Sequence, residues 1–247
     1  MSIVGKGFRA VGCLIKLFFG LLVFAACGFL LWRIFSANTP EELTALSVND
    51  AIYQAYEESD GELYIFQQGQ GTITRANNNR GYFSVTHAVF IPDANQIQIV
   101  FRYNNSTLEH LVRDKGLDSL PDRSENVYDV TLFCAVDLTP ENVDDNAKIS
   151  DEGTRTFRCK GEMVESMEES LYNYRKYVFD LGECDEELEE LLDSGLLLAA
   201  YADVYYVGDL DYEETPYGAL CLYDYKTKIK TAELSKKECE AIENWGK

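Results

Sequence analysis

The sequence predicts a mainly β protein, an antiparallel β-sandwich with short peripheral helices, preceded by one N-terminal transmembrane helix. Three observations predict it. An uncharged apolar run fills residues 17–32 between Lys16 and Arg33. Beyond residue 60, apolar residues recur at every second position in short runs broken by turn residues. No regular crossover helices separate those runs, which argues against a parallel sheet and for a sandwich or barrel, with the sandwich expected.

The uncharged core of the first run would make roughly 24 Å of helix, short of a hydrocarbon layer of about 30 Å. Extending it to residues 14–35 gives roughly 33 Å, with Lys16 and Arg33 near enough to the ends to snorkel into the headgroups. Basic residues Lys6 and Arg9 precede the span and acidic charge follows it, so the positive-inside rule puts residues 1–13 in the cytoplasm and the rest outside. Two other fates compete. Signal cleavage would need a small residue where Phe35 stands before Ser36-Ala37. Phe24-Ala25-Ala26-Cys27 resembles a lipoprotein box with acylation at Cys27, but Phe24 replaces the usual aliphatic residue and an apolar stretch follows where a polar tether belongs. The span is therefore the expectation, with the lipid bilayer contacting residues 14–35.

The formal charge is −20. Four of the 22 basic residues lie before residue 36, leaving 18 against 42 acidic ones, so residues 36–247 carry −24. So negative a surface repels phosphate backbones, and no basic stripe offers counterion release; nucleic acid is excluded as a partner class.

Residues 36–60 are expected to form a helical collar. Thr39-Pro40-Glu41-Glu42 has a capping-box pattern, and Ser47 precedes Val48, Ala51, Ile52, Ala55 and Tyr56 at helical spacing. Residues 61–247 form the expected β domain. Phe83, Val85, His87, Val89 and Ile91 alternate, Pro92-Asp93-Ala94-Asn95 turns the chain, and Ile97, Ile99, Phe101 and Tyr103 alternate back. Further strands are expected at 128–138, 155–160, 174–181, 197–207 and 219–231, with weaker ones at 62–66 and 72–75. Ser106 should open a helix ended by Gly116, an acidic helix should run over 185–194 to Gly195, and a last one over 235–244. The acidic stretch 142–153 reads as an insertion.

Chemistry-bearing motifs are sparse. G-x-S-x-G, S-x-x-K, H-E-x-x-H, P-loop and dinucleotide glycine patterns are all missing. His87, between Val85 and Val89, reads as a core histidine and His110, beside Glu109, as a surface one. Cys134 shares an alternating face with Tyr128, Val130, Leu132 and Val136 and reads as structural. The outer domain has Cys134, Cys159, Cys184, Cys221 and Cys239 without a C-x-x-C pair; an oxidising exterior permits up to two disulfides, whose pairing stays open, as does full reduction. Asp209, Asp211, Glu213 and Glu214 lack the glycine and terminal glutamate of a calcium loop and read as a solvated turn. Asn104 and Asn105 each start an N-x-S/T triplet, relevant only to a eukaryotic secretory route. Tyr201, Tyr205, Tyr206, Tyr212, Tyr217, Tyr223 and Tyr225 read as sheet tyrosines, or as a platform for sugars if exposed.

Thr131-Leu132-Phe133-Cys134 resembles the strand that carries the sortase nucleophile, although Phe133 stands where sortases have Thr. That resemblance implies a histidine and an arginine near the thiol, for which His87 or His110 and Arg158 are nominees. The anchor ending LLWRIFS, GYFSVTHAVFIPDANQIQIVFRYNNSTLEHL and ADVYYVGDLDY together resemble uncharacterised single-pass membrane proteins of anaerobic Gram-positive bacteria over most of the chain. The resemblance brings no established activity and no functional residues. The expectation is a membrane-anchored extracytoplasmic binding or structural domain with an envelope protein or glycan as partner. No catalytic, cofactor-binding or metal-binding residue is assigned; a sortase-like transpeptidase and a sugar-binding module are the alternatives.

Overall fold

The computed structural model describes residues 3–35, 39–68, 71–75, 78–137, 154–169, 171–185, 188, 191–192, 196–208, 218–224 and 231–245. Two compact units divide the chain, Met1–Asn38 and Thr39–Lys247. The first is one helix, α1 (Ile3–Phe35). Its stretch Ile15–Trp32 has a mean hydropathy of 2.2 and is buried nowhere, so it is long and apolar enough to cross a membrane.

The second unit begins with two helices, α2 (Glu41–Thr44) and α3 (Asp50–Glu58). Both start later than the sequence pattern suggests. Pro40, not Thr39, occupies the cap of α2, and Thr39 Oγ1 is buried without a hydrogen-bond partner among the described residues. α3 is capped by Asn49, whose side chain accepts from the Ile52 N–H at 3.1 Å. Ser47 cannot cap it because its backbone is already engaged: its N–H donates to Gln98 Oε1 (2.9 Å) and its carbonyl accepts from Gln98 Nε2 (2.7 Å). The expected stripe on α3 is nevertheless real, with Ile52, Ala55 and Tyr56 buried.

Eleven strands follow: β1 (Tyr64–Gln68), β2 (Gly71–Arg75), β3 (Asn78–Ile91), β4 (Gln96–Asn104), β5 (Tyr128–Asp137), β6 (Thr154–Lys160), β7 (Glu162–Glu168), β8 (Tyr172–Asp180), β9 (Leu196–Tyr206), β10 (Gly218–Asp224) and β11 (Thr231–Glu233). All described ladders are antiparallel. They do not separate into two sheets. One hydrogen-bonded sheet runs in the order β6-β5-β9-β10-β2-β3-β4-β8-β7, with β1 joining β3 to β11. The expected 219–231 strand is realised as β10 and β11.

Strands far apart in the sheet order share one core. The Tyr128 ring on β5 lies 4.7 Å from that of Phe83 on β3 and 5.1 Å from that of Tyr103 on β4, strands well apart in sheet order. Tyr177 of β8 donates from its hydroxyl to the Tyr128 carbonyl. This main core includes Ile99, Phe101, Val130, Leu132, Cys134, Phe179, Ala202 and Val204. Each large side chain buried there contributes about 1.5–3 kcal/mol.

β6 and β7, the first and last strands of that order, are consecutive in the chain and joined through Gly161. The Phe179 ring lies where a β-carbon on Gly161 would be, 2.5 Å from its Cε1, so only glycine lets the chain pass from β6 to β7. A Cys159–Cys184 disulfide, Cα to Cα 5.2 Å, ties β6 to the helical turn α5 (Leu181–Cys184) that follows β8.

β3 breaks the expected alternation. Opposite β4, Val85 faces Phe101 but His87 faces Val100, leaving Thr86 as a bulge. Phe83 and Val85 therefore point into the main core, but Val89 and Ile91 point to the other face, against Ile52, Leu63 and Ile242. This second core is closed by α3 and by α6 (Lys236–Glu243), the helix expected over 235–244, which opens on a Ser235–Glu238 capping box. Tyr56 donates to Glu243 Oε1 (3.3 Å) and Trp245 Nε1 to Asp50 Oδ1 (2.9 Å), pinning α6 to α3.

The 92–95 turn is present, with Asn95 left-handed at φ 46°. α4 (Asn105–Lys115) ends at left-handed Gly116 as expected, but Asn104, the last residue of β4, supplies its cap in place of Ser106. The expected acidic helix over 185–194 falls largely outside the described residues, and the insertion 142–153 entirely so.

Candidate functional site

The outer face of β4 and β8 carries Gln96, Gln98 and Lys176, three of the polar side chains that are buried in the described residues. Val100, in the middle of β4, pairs with His87 on one side and Lys176 of β8 on the other. The chain between α2 and α3 lies over this row. Leu43 is fully buried against Val100 and Tyr174, the Lys176 ammonium donates to the Ala45 carbonyl, and the Gln98 amide clamps Ser47. Gln98 also donates to Gln96 Oε1 at 2.8 Å. Burial lowers the Lys176 pKa from its ordinary value, opposed by Glu165.

His87 lines a groove of about 340 Å³ with Glu41, Thr44, Ala45, Leu46, Ser235, Lys237, Glu238 and Ala241. Lys237 bridges to Glu41 at 3.0 Å on its exposed rim, a pair worth little in water. Burial, with the Lys176 charge adding, holds the imidazole below its ordinary value, and Glu238 partly offsets this. The sequence places His87 on the face of Val85; the bulge at Thr86 puts it on the opposite one, half-buried. Nothing in the local sequence announces that bulge.

Cys134 lies where its alternation predicts, fully buried in the main core with Tyr128, Val130, Leu132 and Val136. Its thiol is free, and burial pushes its pKa up to about 12, so it is protonated at neutral pH. The nominated partners lie elsewhere. Arg158 pairs with Phe133 across the β5–β6 ladder and projects from the face opposite Cys134, donating to the Tyr205 hydroxyl at 2.6 Å. His87 faces the outer groove, and His110 sits on α4 with its Nδ1 against Arg113. Thiol, imidazole and guanidinium are not brought together.

On that opposite face Tyr205 is fully buried and its hydroxyl lies 3.5 Å from Asp203 Oδ2. Burial raises the Asp203 pKa, while Arg158 and the Tyr205 hydrogen bond pull it down. Thr131, cross-strand to Asp203, has a buried hydroxyl without a hydrogen-bond partner among the described residues. Tyr201 and Tyr206 are half-buried; the Tyr201 ring lies 6.4 Å from that of Phe133. The Asp209, Asp211, Glu213 and Glu214 cluster lies outside the described residues, as do Tyr212, Tyr217 and Tyr225. Asn104 is engaged as the cap of α4, its Oδ1 accepting from the Thr107 N–H at 3.0 Å. Lys176, Gln98 and Asp203 are the placed polar groups that sequence reasoning passed over; a Lys flanked by Tyr174, Tyr177 and Val178 in an alternating run was the available signal.

Chemically, these groups hold segments together and present surfaces. Among the described residues no nucleophile faces a base, and no three His, Cys, Asp or Glu side chains converge as for a metal ion. No family model, curated protein or solved structure matches the chain.

Proposed function

We propose that the chain is a type II single-pass membrane protein whose acidic, sandwich-like β domain serves outside the cytoplasm as a binding or structural module for an envelope partner. The observation that carries this reading is the Cys159–Cys184 bridge in a domain that follows an apolar helix with basic residues before it. Cytosolic thiols are kept reduced, whereas an exterior compartment lets such a pair form and persist. The charge asymmetry around α1 points the same way. The −24 charge after residue 35 keeps a tethered domain soluble and selects against anionic partners.

Protease treatment of intact cells tests the orientation. The account expects residues beyond the span to be digested from outside while the N-terminus stays protected; full protection of the β domain until the cells are lysed would overturn it. The mass of the mature chain separates the modes of attachment. A lipid-free chain starting before Cys27 supports the span, and an acylated N-terminal Cys27 contradicts it.

A further inference from the structure

β7 is bonded to the protein along one side only. It pairs with β8, and among the described residues nothing pairs with its other edge. The hairpin is closed by the Glu169 N–H donating to the Tyr172 carbonyl at 2.9 Å. Antiparallel pairs alternate between bonded and non-bonded, so the pairs Met167–Tyr174 and Glu165–Lys176 point their backbone groups inward. The N–H and C=O groups of Ser166 and Glu168 then face the open edge.

Its faces are largely open as well, Met167 alone packing against the Leu43, Val100 and Tyr174 cluster among the described residues. No residue of β7 is buried; Glu165 and Met167 are half-buried and the others exposed, including Met163 at 40% and Val164 at 42%. The segment between Gly161 and Ser170 carries Glu162, Glu165, Glu168 and Glu169 and no basic residue.

We infer that the free edge of β7 is a docking site for an extended basic segment of a partner protein, which adds there as a further strand. This rests on the reading of the domain as a binding module and names its partner's chemistry. Strand addition gives main-chain hydrogen bonds at the edge, and alternate side chains of the added strand set specificity. Opposite charges in cross-strand positions stabilise the pairing and like charges oppose it. A second copy of β7 would set carboxylates against carboxylates, so the partner is not this chain itself. Lys or Arg at alternate positions complements Glu162 and Glu165, which share one face, while Glu168 stands on the other; the same glutamates keep the edge from self-association.

The test uses the full-length protein in non-ionic detergent micelles and a labelled peptide of about ten alternating Lys and Val residues, followed by fluorescence anisotropy at physiological salt. Saturable binding is expected, weakened about tenfold or more when alternate backbone nitrogens of the peptide are methylated. Ser166→Pro removes an outward N–H without touching the β7–β8 ladder, so it should weaken binding similarly while leaving the melting curve unchanged. Glu165→Gln with Glu168→Gln should weaken binding and flatten its salt dependence. Equal binding of the methylated and unmethylated peptides would show general attraction to an acidic protein and overturn the proposal, as would no binding of the parent peptide, or sedimentation of the micellar protein as a β7-dependent dimer. The methylated-peptide comparison stands even where Ser166→Pro disturbs folding. Failure here leaves the orientation of the domain untouched, since protease protection measures that separately.

Discussion

β7 and β8 are the two arms of one hairpin and share one ladder, yet they are stabilised by different things. β8 is buried along seven consecutive residues, Asn173–Phe179, because its inward side chains enter the main core and its outward ones lie beneath the chain between α2 and α3. β7 buries none of its seven residues fully and is held by hydrogen bonds to β8 and by half-buried Met167 against Leu43, Val100 and Tyr174. A strand between two covered faces is specified by packing, whereas an edge strand of Glu and Ser is specified by its neighbour.

Tyr177→Ala, on the β8 arm, removes a buried ring and its hydrogen bond to Tyr128 and should cost about 3–5 kcal/mol in urea unfolding of the micellar protein. A loss under 1 kcal/mol would mean that β8 is not packed as described. Replacing both Cys159 and Cys184 by Ser frees the link between β6 and the end of β8 and should cost about 2–4 kcal/mol, read the same way. Gly161→Ala drives a methyl into the Phe179 ring at the passage from β6 to β7, for an expected about 1–3 kcal/mol; an unchanged midpoint would show that ring to be elsewhere.

His87 gives a pH-dependent effect on the same row of the sheet as Lys176. Its folded pKa lies below the ordinary value of 6.5, so below that pH the unfolded chain binds more protons than the folded one. Its stabilising contribution is full above pH 6.5 and is lost as pH falls through the lowered folded pKa. Lys176 and Glu238 are the charged groups that act on it, with Glu41 and Lys237 at the groove rim. The melting temperature of His87→Gln should fall less than that of the parent on acidification from pH 6.5; parallel profiles would contradict the assignment. The smallest effect belongs to the β7 arm. Val164→Ala should stay within about 0.5 kcal/mol of the parent, and a loss above 2 kcal/mol would show that β7 has a covered face after all.

The same contrast explains what the sequence made legible. β3, β4, β5, β8 and β9 bury at least one face, and that burial writes alternation into the chain, as in Ile97, Ile99, Phe101 and Tyr103. Glu162–Glu168 buries nothing, so no pattern announced β7. Cap positions slipped where tertiary bonds intervened, as when Gln98 took the backbone of Ser47 and left Asn49 to start α3. The face of His87 was misassigned because a single bulged residue, Thr86, reverses the alternation without altering composition. Sequence also left the cysteine pairing open, since Cys159 and Cys184 meet only when β6 and the end of β8 come together. The apolar helix needed no tertiary information and was the most readable feature, because length and hydropathy alone define α1.

The redox state of Cys159 and Cys184 in living cells tests the central claim most directly. Thiols are trapped by acid quench and alkylation before lysis, and the peptides carrying the two residues are analysed by mass spectrometry. A domain outside the cytoplasm predicts the Cys159–Cys184 bridge, with Cys134 alkylated as a free thiol once the protein is denatured. Full alkylation of both Cys159 and Cys184 would place the domain in a reducing compartment and contradict the account.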